Sequence, residues 1–467
     1  MSAALVIVKE TRALIRDGRL WGLGLALALL LLAMLALGSQ RQERAERERL
    51  DAENAARSQW DHQGDRNPHR AAHFGLYAFK PQSALAAVDP GIDALTGQAL
   101  WLEPHKRNMA MYTPAADAAP TLGLGGLDPA FVLLALVPLL ILVLGHGLVT
   151  QERESGTLRM LQACGARAGP LVLGKWLGLC AALGLVLGPA LAVGIWVLAA
   201  QSGWSAVALL AALLLYVAVW AALAVLISAL CHRTRSALLV LLALWVAAVF
   251  VVPRFGASMV ERWMPVPTGE AFWSAIRHDI EEGLPGDGNA RQRMSTFDAK
   301  LLSDHGVQRL DDLPFGANAK RRLFRDAYAT KVYALHFDRL WQAQFQQQQR
   351  LRILTAVSPY ALIRSVSSAL AGTDLAHRRH FEDAAERYRE RFTTLVDEWD
   401  VRATRGVTFA ESRYAGDALW QSMPPWVYEP PGLGFALRAA WSDLLILCLW
   451  LAALLAGLGI RARRLKP

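Results

Sequence analysis

Six stretches of this chain are long and almost free of charge: residues 20–38, 131–149, 171–200, 206–230, 237–252 and 437–460. Most of them reach the roughly 18 apolar residues that cross a bilayer. Inside lipid, backbone N–H and C=O groups have no water to bond, so such stretches must be helices or strands of a closed barrel. The runs are continuous rather than alternating, which selects helices. Hydrophobic residues make up 54% of the 467 positions and charged residues only 19%, which fits no soluble domain of this size. The predicted fold class is an all-α membrane protein with six transmembrane helices and two mainly helical extracytoplasmic insertions. The first run lacks a small-residue cleavage site and reads as a retained span.

Charge sets the expected orientation. Residues 2–19, the 150–170 loop, the 231–235 turn and the 461–466 tail are short and basic, and they alternate with the uncharged 201–205 connector. Short basic segments stay in the cytoplasm. Both termini are therefore expected there, and the net charge of +9 is a topology signal rather than the footprint of a nucleic-acid partner. Five regions follow. Residues 1–38 hold an interfacial helix and span 1; residues 39–128 form a first extracytoplasmic insertion. Spans 2–5 occupy 129–253, with a helix at 151–169. A second extracytoplasmic helical domain covers 254–436, and span 6 with a basic tail covers 437–467. In the N-terminal helix, Ala4, Val8, Thr11 and Ile15 can share an apolar face, with Lys9, Arg12, Arg16 and Arg19 as headgroup anchors. The first insertion, with Trp101 and Tyr112, suffices for a small module. Pro138 is expected to bend span 2, Gly188-Pro189 to bend or break span 3, and Pro253 to stop span 5. The stretch 424–431, PPWVYEPP, is expected to return the chain to the membrane surface.

The loop TQERESGTLRMLQACGARAGP, residues 150–170, is the polar element most confined by spans. Ser155 or Thr157 can cap a short helix, and Leu158, Leu161 and Cys164 recur at a helical interval. A solvated loop with one helical turn is the plain alternative.

Catalytic chemistry finds little footing. Residues 169–176, GPLVLGKW, approach the phosphate-loop pattern GxxxxGK[ST], but Trp176 stands where a magnesium-holding hydroxyl is required and no strand precedes it. Lys175 is expected to snorkel to headgroups. His69 and His73, and His377 and His380, have helical spacings that suit a shared metal, yet neither pair sits in an HExxH frame, and solvated histidines are the default. His146 and Asp443 lie near span ends, which favours interfacial placement. The four cysteines, Cys164, Cys180, Cys231 and Cys448, have no metal-ligand spacing and lie outside the insertions. No catalytic, cofactor or metal site is expected.

Residues Glu152-Arg153-Glu154-Ser155-Gly156-Thr157-Leu158, followed by Gly174-Lys175 at the start of the next span, resemble the coupling-helix region of type 2 ABC transporter permeases. Lys9-Glu10 with Arg16 is similar to the same family's interfacial helix. The segments Val357-Ser358-Pro359 and Ala371-Gly372-Thr373-Asp374, with Phe381 and Tyr388-Arg389, resemble a bacterial subfamily with a large uncharacterised outer domain. The resemblance implies a permease that exports a substrate, dimerises with itself or a related chain, and sits on two copies of a separate ATPase that carries ATP and magnesium. Glu152, Arg153, Glu154, Gly156, Thr157, Leu158, Arg159 and Leu161 would then couple that ATPase to the spans. Two other readings are a mechanical complex acting on a periplasmic partner without solute transport, and an ATPase-independent scaffold or receptor.

Overall fold

The computed structural model describes residues 2–110, 128–407 and 413–464. Tyr112 and the end of the basic tail, Leu465 and Lys466, lie outside the described residues. Among the described residues six helices are long and apolar enough to cross a membrane. They are α2 (Gly18–Asp61), a helix over 129–145 called α4, α7 (Ala168–Ser202), α8 (Trp204–Leu230), α9 (Thr234–Trp263) and α16 (Leu433–Arg463). The first continues far past its apolar part, as its charged sequence predicts: Arg49 links Glu46 and Glu53 along one face, and Arg57 pairs with Asp61.

One of the proline expectations is corrected. Pro253 does not stop span 5; α9 runs on to Trp263. The helix passes through a π-turn, Ala247–Val251, just before the proline, and Pro138 of α4 follows a second π-turn, Val132–Leu136. Proline removes one N–H and crowds the carbonyl a turn earlier. A wider turn relieves that crowding, and the freed carbonyls find side-chain donors. Tyr216 donates its hydroxyl to Leu134 O at 2.6 Å and Trp245 donates to Ala135 O at 3.0 Å, while Ser358 donates to Ala248 O at 2.6 Å. Helix α7 continues unbroken through Pro189.

The N-terminal helix α1 (Ala3–Ile15) packs along α7. Its face toward α7 is Val6, Glu10 and Leu14, while Val8, of the apolar face expected to meet the membrane, is exposed. Gly174 and Gly178, four apart on α7, let the two backbones close up. A Cβ at Gly174 would lie 2.4 Å from Val6 Cβ, and one at Gly178 would lie 2.7 Å from Glu10 Cβ. We therefore expect Gly174→Leu to destabilise the protein by about 1–3 kcal/mol through overpacking. Proteolysis of the N-terminal segment should accelerate, whereas Gly184→Leu, whose Cβ meets open space, should leave it unchanged.

At the opposite end of the bundle the two insertions form one polar head. The first contributes α3 (Pro68–Phe74) and an antiparallel hairpin, β1 (Leu76–Phe79) with β2 (Ala99–Leu102), in the register Leu76↔Leu102 to Phe79↔Ala99. The second contributes α10 (Gly269–Glu282), α11 (Ala290–His305), α12 (Ala317–Thr355), α13 (Pro359–Ala371), α14 (Leu375–Ala403) and α15 (Asp417–Ser422). Trp60, Ala71 and Leu76 of the first share a core with Phe392, Val396 and Trp420 of the second. Phe381 and Ala385 of α14 pack on the hairpin residues Ala78, Leu100 and Leu102.

Within the segment read as the second outer domain, α13 folds back into the apolar core of the spans. Leu362, Ile363, Val366 and Leu370 are buried in the same cluster as α8 and α16. The α12–α13 turn is held by span residues: Trp450 of α16 donates to Ala356 O at 2.9 Å, besides the Ser358 bond to α9. Asp443, expected near the interface from its place close to a span end, has protein partners. It is fully buried, accepts a hydrogen bond from Ser365 at 2.7 Å, and its Oδ2 lies 3.1 Å from Arg352 Nε. Arg352 also donates to Ala439 O at 2.8 Å. His146 likewise is buried, with Nδ1 against the carbonyls of Leu142 and Val143.

Candidate functional site

The 150–170 loop folds into two short helices, α5 (Thr150–Glu154) and α6 (Thr157–Ala163). The corner between them is Gly156 at φ 73°, a left-handed conformation that favours glycine. Neither Ser155 nor Thr157 caps α6; their hydroxyls bond each other at 2.8 Å, and Gly156 occupies the cap position without a side chain. The acidic-basic-acidic triplet of α5 is used within the molecule, each residue on a different neighbour.

Arg153 closes the end of α8. Its guanidinium donates to the carbonyls of Cys231 and Ala229, the latter at 3.2 Å, where a helix C-terminus leaves carbonyls unpaired and favours positive charge. Arg461 of α16 reaches the same Ala229 carbonyl at 3.1 Å. Glu154 does the converse for α9: it accepts from Thr234 N at 2.9 Å and from the Thr234 hydroxyl at 2.7 Å, placing negative charge at a helix N-terminus. Ser228 accepts from the backbone N–H groups of Val149 and Thr150 at 3.0 and 3.2 Å.

Glu152 joins a buried ionic cluster. Its Oε1 lies 2.6 Å from Lys9 Nζ and 2.9 Å from Lys175 Nζ, and Lys175 also donates to Glu10 Oε1 at 2.9 Å. The Lys175 side chain is 1% exposed, so it does not snorkel to headgroups as the sequence suggested; two carboxylates hold it in place. Burial pushes the Glu10 carboxyl up, but Lys175 and Lys9 outweigh that and hold it below the usual carboxylate range. Burial likewise depresses Lys9, and its bonds to Glu10 and Glu152 more than compensate, so it stays charged. The elbow formed by α5 and α6 thus meets five helices: α1, α7, α8, α9 and, through Ala229, α16.

The outward surface of the elbow is a different set. Leu158 is fully buried in the span core and Leu161 half-buried, whereas Arg159, Met160 and Cys164 are exposed. Met160 is 60% exposed, and Arg159 makes no ion pair among the described residues. The sequence singled out this loop for its charge between two spans but not this division of labour. The one available signal was Lys175, a lone cation at the start of an apolar run, which needs a buried counter-charge or a route to water.

The histidine pairs separate. His377 bonds Asp374 at 2.5 Å and His380 meets the Tyr428 hydroxyl at 3.0 Å, so those two rings serve different partners. His69 and His73 share a face of α3, with His105 beside them.

Residues 107–272 match the family described as ABC-2 family transporter protein, which takes in spans 2–5 and the elbow. Residues 269–429 match a domain of unknown function (DUF3526), which coincides with the larger part of the head. No curated protein matches the chain.

Proposed function

We propose, from the premise that this multi-pass membrane chain is an ABC-2 type permease with an added domain, that it is the exporting subunit of a transporter powered by a separate ATPase. In this reading α5 and α6 lie in the cytoplasm of a bacterial inner-membrane complex, two ATPase subunits carry the ATP and magnesium, and a second permease copy or relative completes the dimer. The exposed apolar faces of the spans, with Trp196 and Leu239 open, are available to lipid and to that second chain. The observation that carries the proposal is the elbow's construction. Its charged triplet is bonded to four helices, so force applied to α6 reaches α1, α7, α8 and α9 without a flexible link.

Docking then falls to Arg159 and Met160, which point away from the molecule, rather than to Glu152 and Glu154. The double variant Arg159→Glu with Met160→Asp is expected to abolish ATPase association while changing stability by less than about 0.5 kcal/mol, as suits exposed positions. Co-purification with an ATPase encoded beside this gene reads the first effect and thermal unfolding reads the second. Undiminished co-purification and transport would remove α6 from the ATPase interface.

A mechanical role is favoured by one further observation. The α12–α13 turn is gripped by α9 and α16, so movement of the spans is delivered to the base of α12, a rod of about 58 Å at 1.5 Å per residue. In this second reading the head acts on a periplasmic partner. Solute transport into vesicles by a complex with the head removed would decide for export alone.

A further inference from the structure

Three imidazoles meet on the head, from two segments that the sequence keeps apart. His69 and His73 are four residues apart on α3, and His105 lies in the tight turn after β2, where Glu103 and Lys106 bridge. Their candidate ligand nitrogens all lie within 4.8 Å of one another. The Nε2 atoms of His73 and His69 are 3.3 Å apart, and those of His105 and His69 3.4 Å apart. A zinc ion with Zn–N bonds of 2.0–2.1 Å in tetrahedral geometry separates its nitrogen ligands by about 3.3–3.4 Å. Two of the three nitrogen separations are thus already those of a coordination shell, and the third is no more than 4.8 Å.

One of the rings is oriented from behind, and a second has a carboxylate near its remote nitrogen without a hydrogen bond to it. His105 Nδ1 bonds Asp326 of α12 at 2.7 Å, and His69 Nδ1 lies 3.7 Å from Asp397 of α14. A carboxylate on the remote nitrogen is the usual outer partner of a metal-bound histidine, since it fixes the tautomer and aims the other lone pair at the ion. The backbone is also committed. His105 has φ 66°, the only positive φ outside glycine among the described residues, and the Tyr333 hydroxyl holds its carbonyl at 3.2 Å. A left-handed conformation is uncommon outside glycine.

We propose that His69, His73 and His105 bind a zinc-class divalent cation, with His73 on the exposed side and the fourth position left to water. Three histidines with an open position suit zinc and its borderline neighbours rather than calcium or magnesium, which take oxygen ligands. The ion would tie the first insertion to α12 and α14 of the second, through Asp326 and Asp397. This goes beyond the permease reading and is independent of it, because every residue lies in the head.

The test is zinc titration by calorimetry of the full-length protein, without a polyhistidine tag and after chelator treatment, in detergent. One zinc per chain is expected, with a rise in apparent Tm. His73→Gln and His105→Gln should each weaken binding at least about 100-fold, and Asp326→Asn, a positioning residue, about 10-fold. Asp326→Glu should recover part of that loss, and cobalt should give the visible absorption of tetrahedral nitrogen coordination in wild type only. His73 is exposed, so His73→Gln remains informative if His105→Gln fails to fold. Absence of zinc binding by the wild type, or equal binding by His73→Gln, overturns the proposal and leaves three rings joined only by hydrogen bonds.

Discussion

Lys175→Met is expected to cost at least about 3 kcal/mol, because it leaves Glu10 and Glu152 buried and facing one another. The two carboxylates share Lys175 at 2.9 Å each, and the remaining cation, Lys9, bonds both at 2.8 and 2.6 Å but is 45% exposed on its side chain, so solvent screens its charge. Two like charges that close favour protonation of one of them, so the variant should regain stability as pH falls, while the wild type, whose Glu10 is held low, should not. The sign follows from linkage: Glu10 with a lowered folded value contributes stability above its unfolded pKa, and that contribution disappears as pH drops through the folded one. Adding Glu10→Gln to Lys175→Met removes the uncompensated charge and should recover at least half of the loss. The readout is apparent Tm across pH for the wild type, the single and the double variant. A single variant as stable as wild type would mean that the cluster contributes nothing.

Arg352→Leu should cost about 3–5 kcal/mol, the usual result of stripping one partner from a buried ion pair. Asp443 is fully buried in α16 and would keep only the Ser365 hydroxyl. Arg352 also holds the Ala439 carbonyl, so its loss frees the base of α12 from span 6. The double variant Arg352→Leu with Asp443→Leu should be less damaged than the single one, since the stranded charge is gone. Detergent-extracted yield and apparent Tm read both. If the double variant were worse than the sum of the two single variants, the ion pair would not be the reason that Asp443 is tolerated inside a span.

The spans were legible because lipid permits so few backbone solutions, and long apolar runs admit only one of them here. The helices of the head were legible because residues 290–302, 317–352 and 375–404 are charged and lack the alternation of strands, and α11, α12 and α14 lie close to those bounds. What escaped depends on partners far away in the chain. Helix α13 has only 13 residues, too short to read as a span, and its apolar face gains meaning only from α8 and α16. Pro253 read as a stop because a π-turn is not written in any local pattern. Lys175 read as a headgroup anchor because its carboxylates are 165 and 23 positions away, at Glu10 and Glu152. Gly174 and Gly178 were visible as glycines, but only the docking of α1 explains their spacing. His105 stood outside the His69–His73 helix and carried no periodic signal.

The central claim is that the elbow faces the cytoplasm, where an ATP-driven partner can push it. Cys164 is naturally exposed there, next to α6, and serves as the reporter once Cys180, Cys231 and Cys448 are replaced. A membrane-impermeant maleimide is applied to intact cells. Lys300→Cys on the head, in a background that also lacks Cys164, is the positive control, since the Lys300 side chain is 73% exposed. The account predicts that the Lys300→Cys protein is modified in intact cells and that Cys164 is modified only after the membrane is permeabilised. Modification of Cys164 in intact cells would put the elbow on the side without ATP and contradict the assignment.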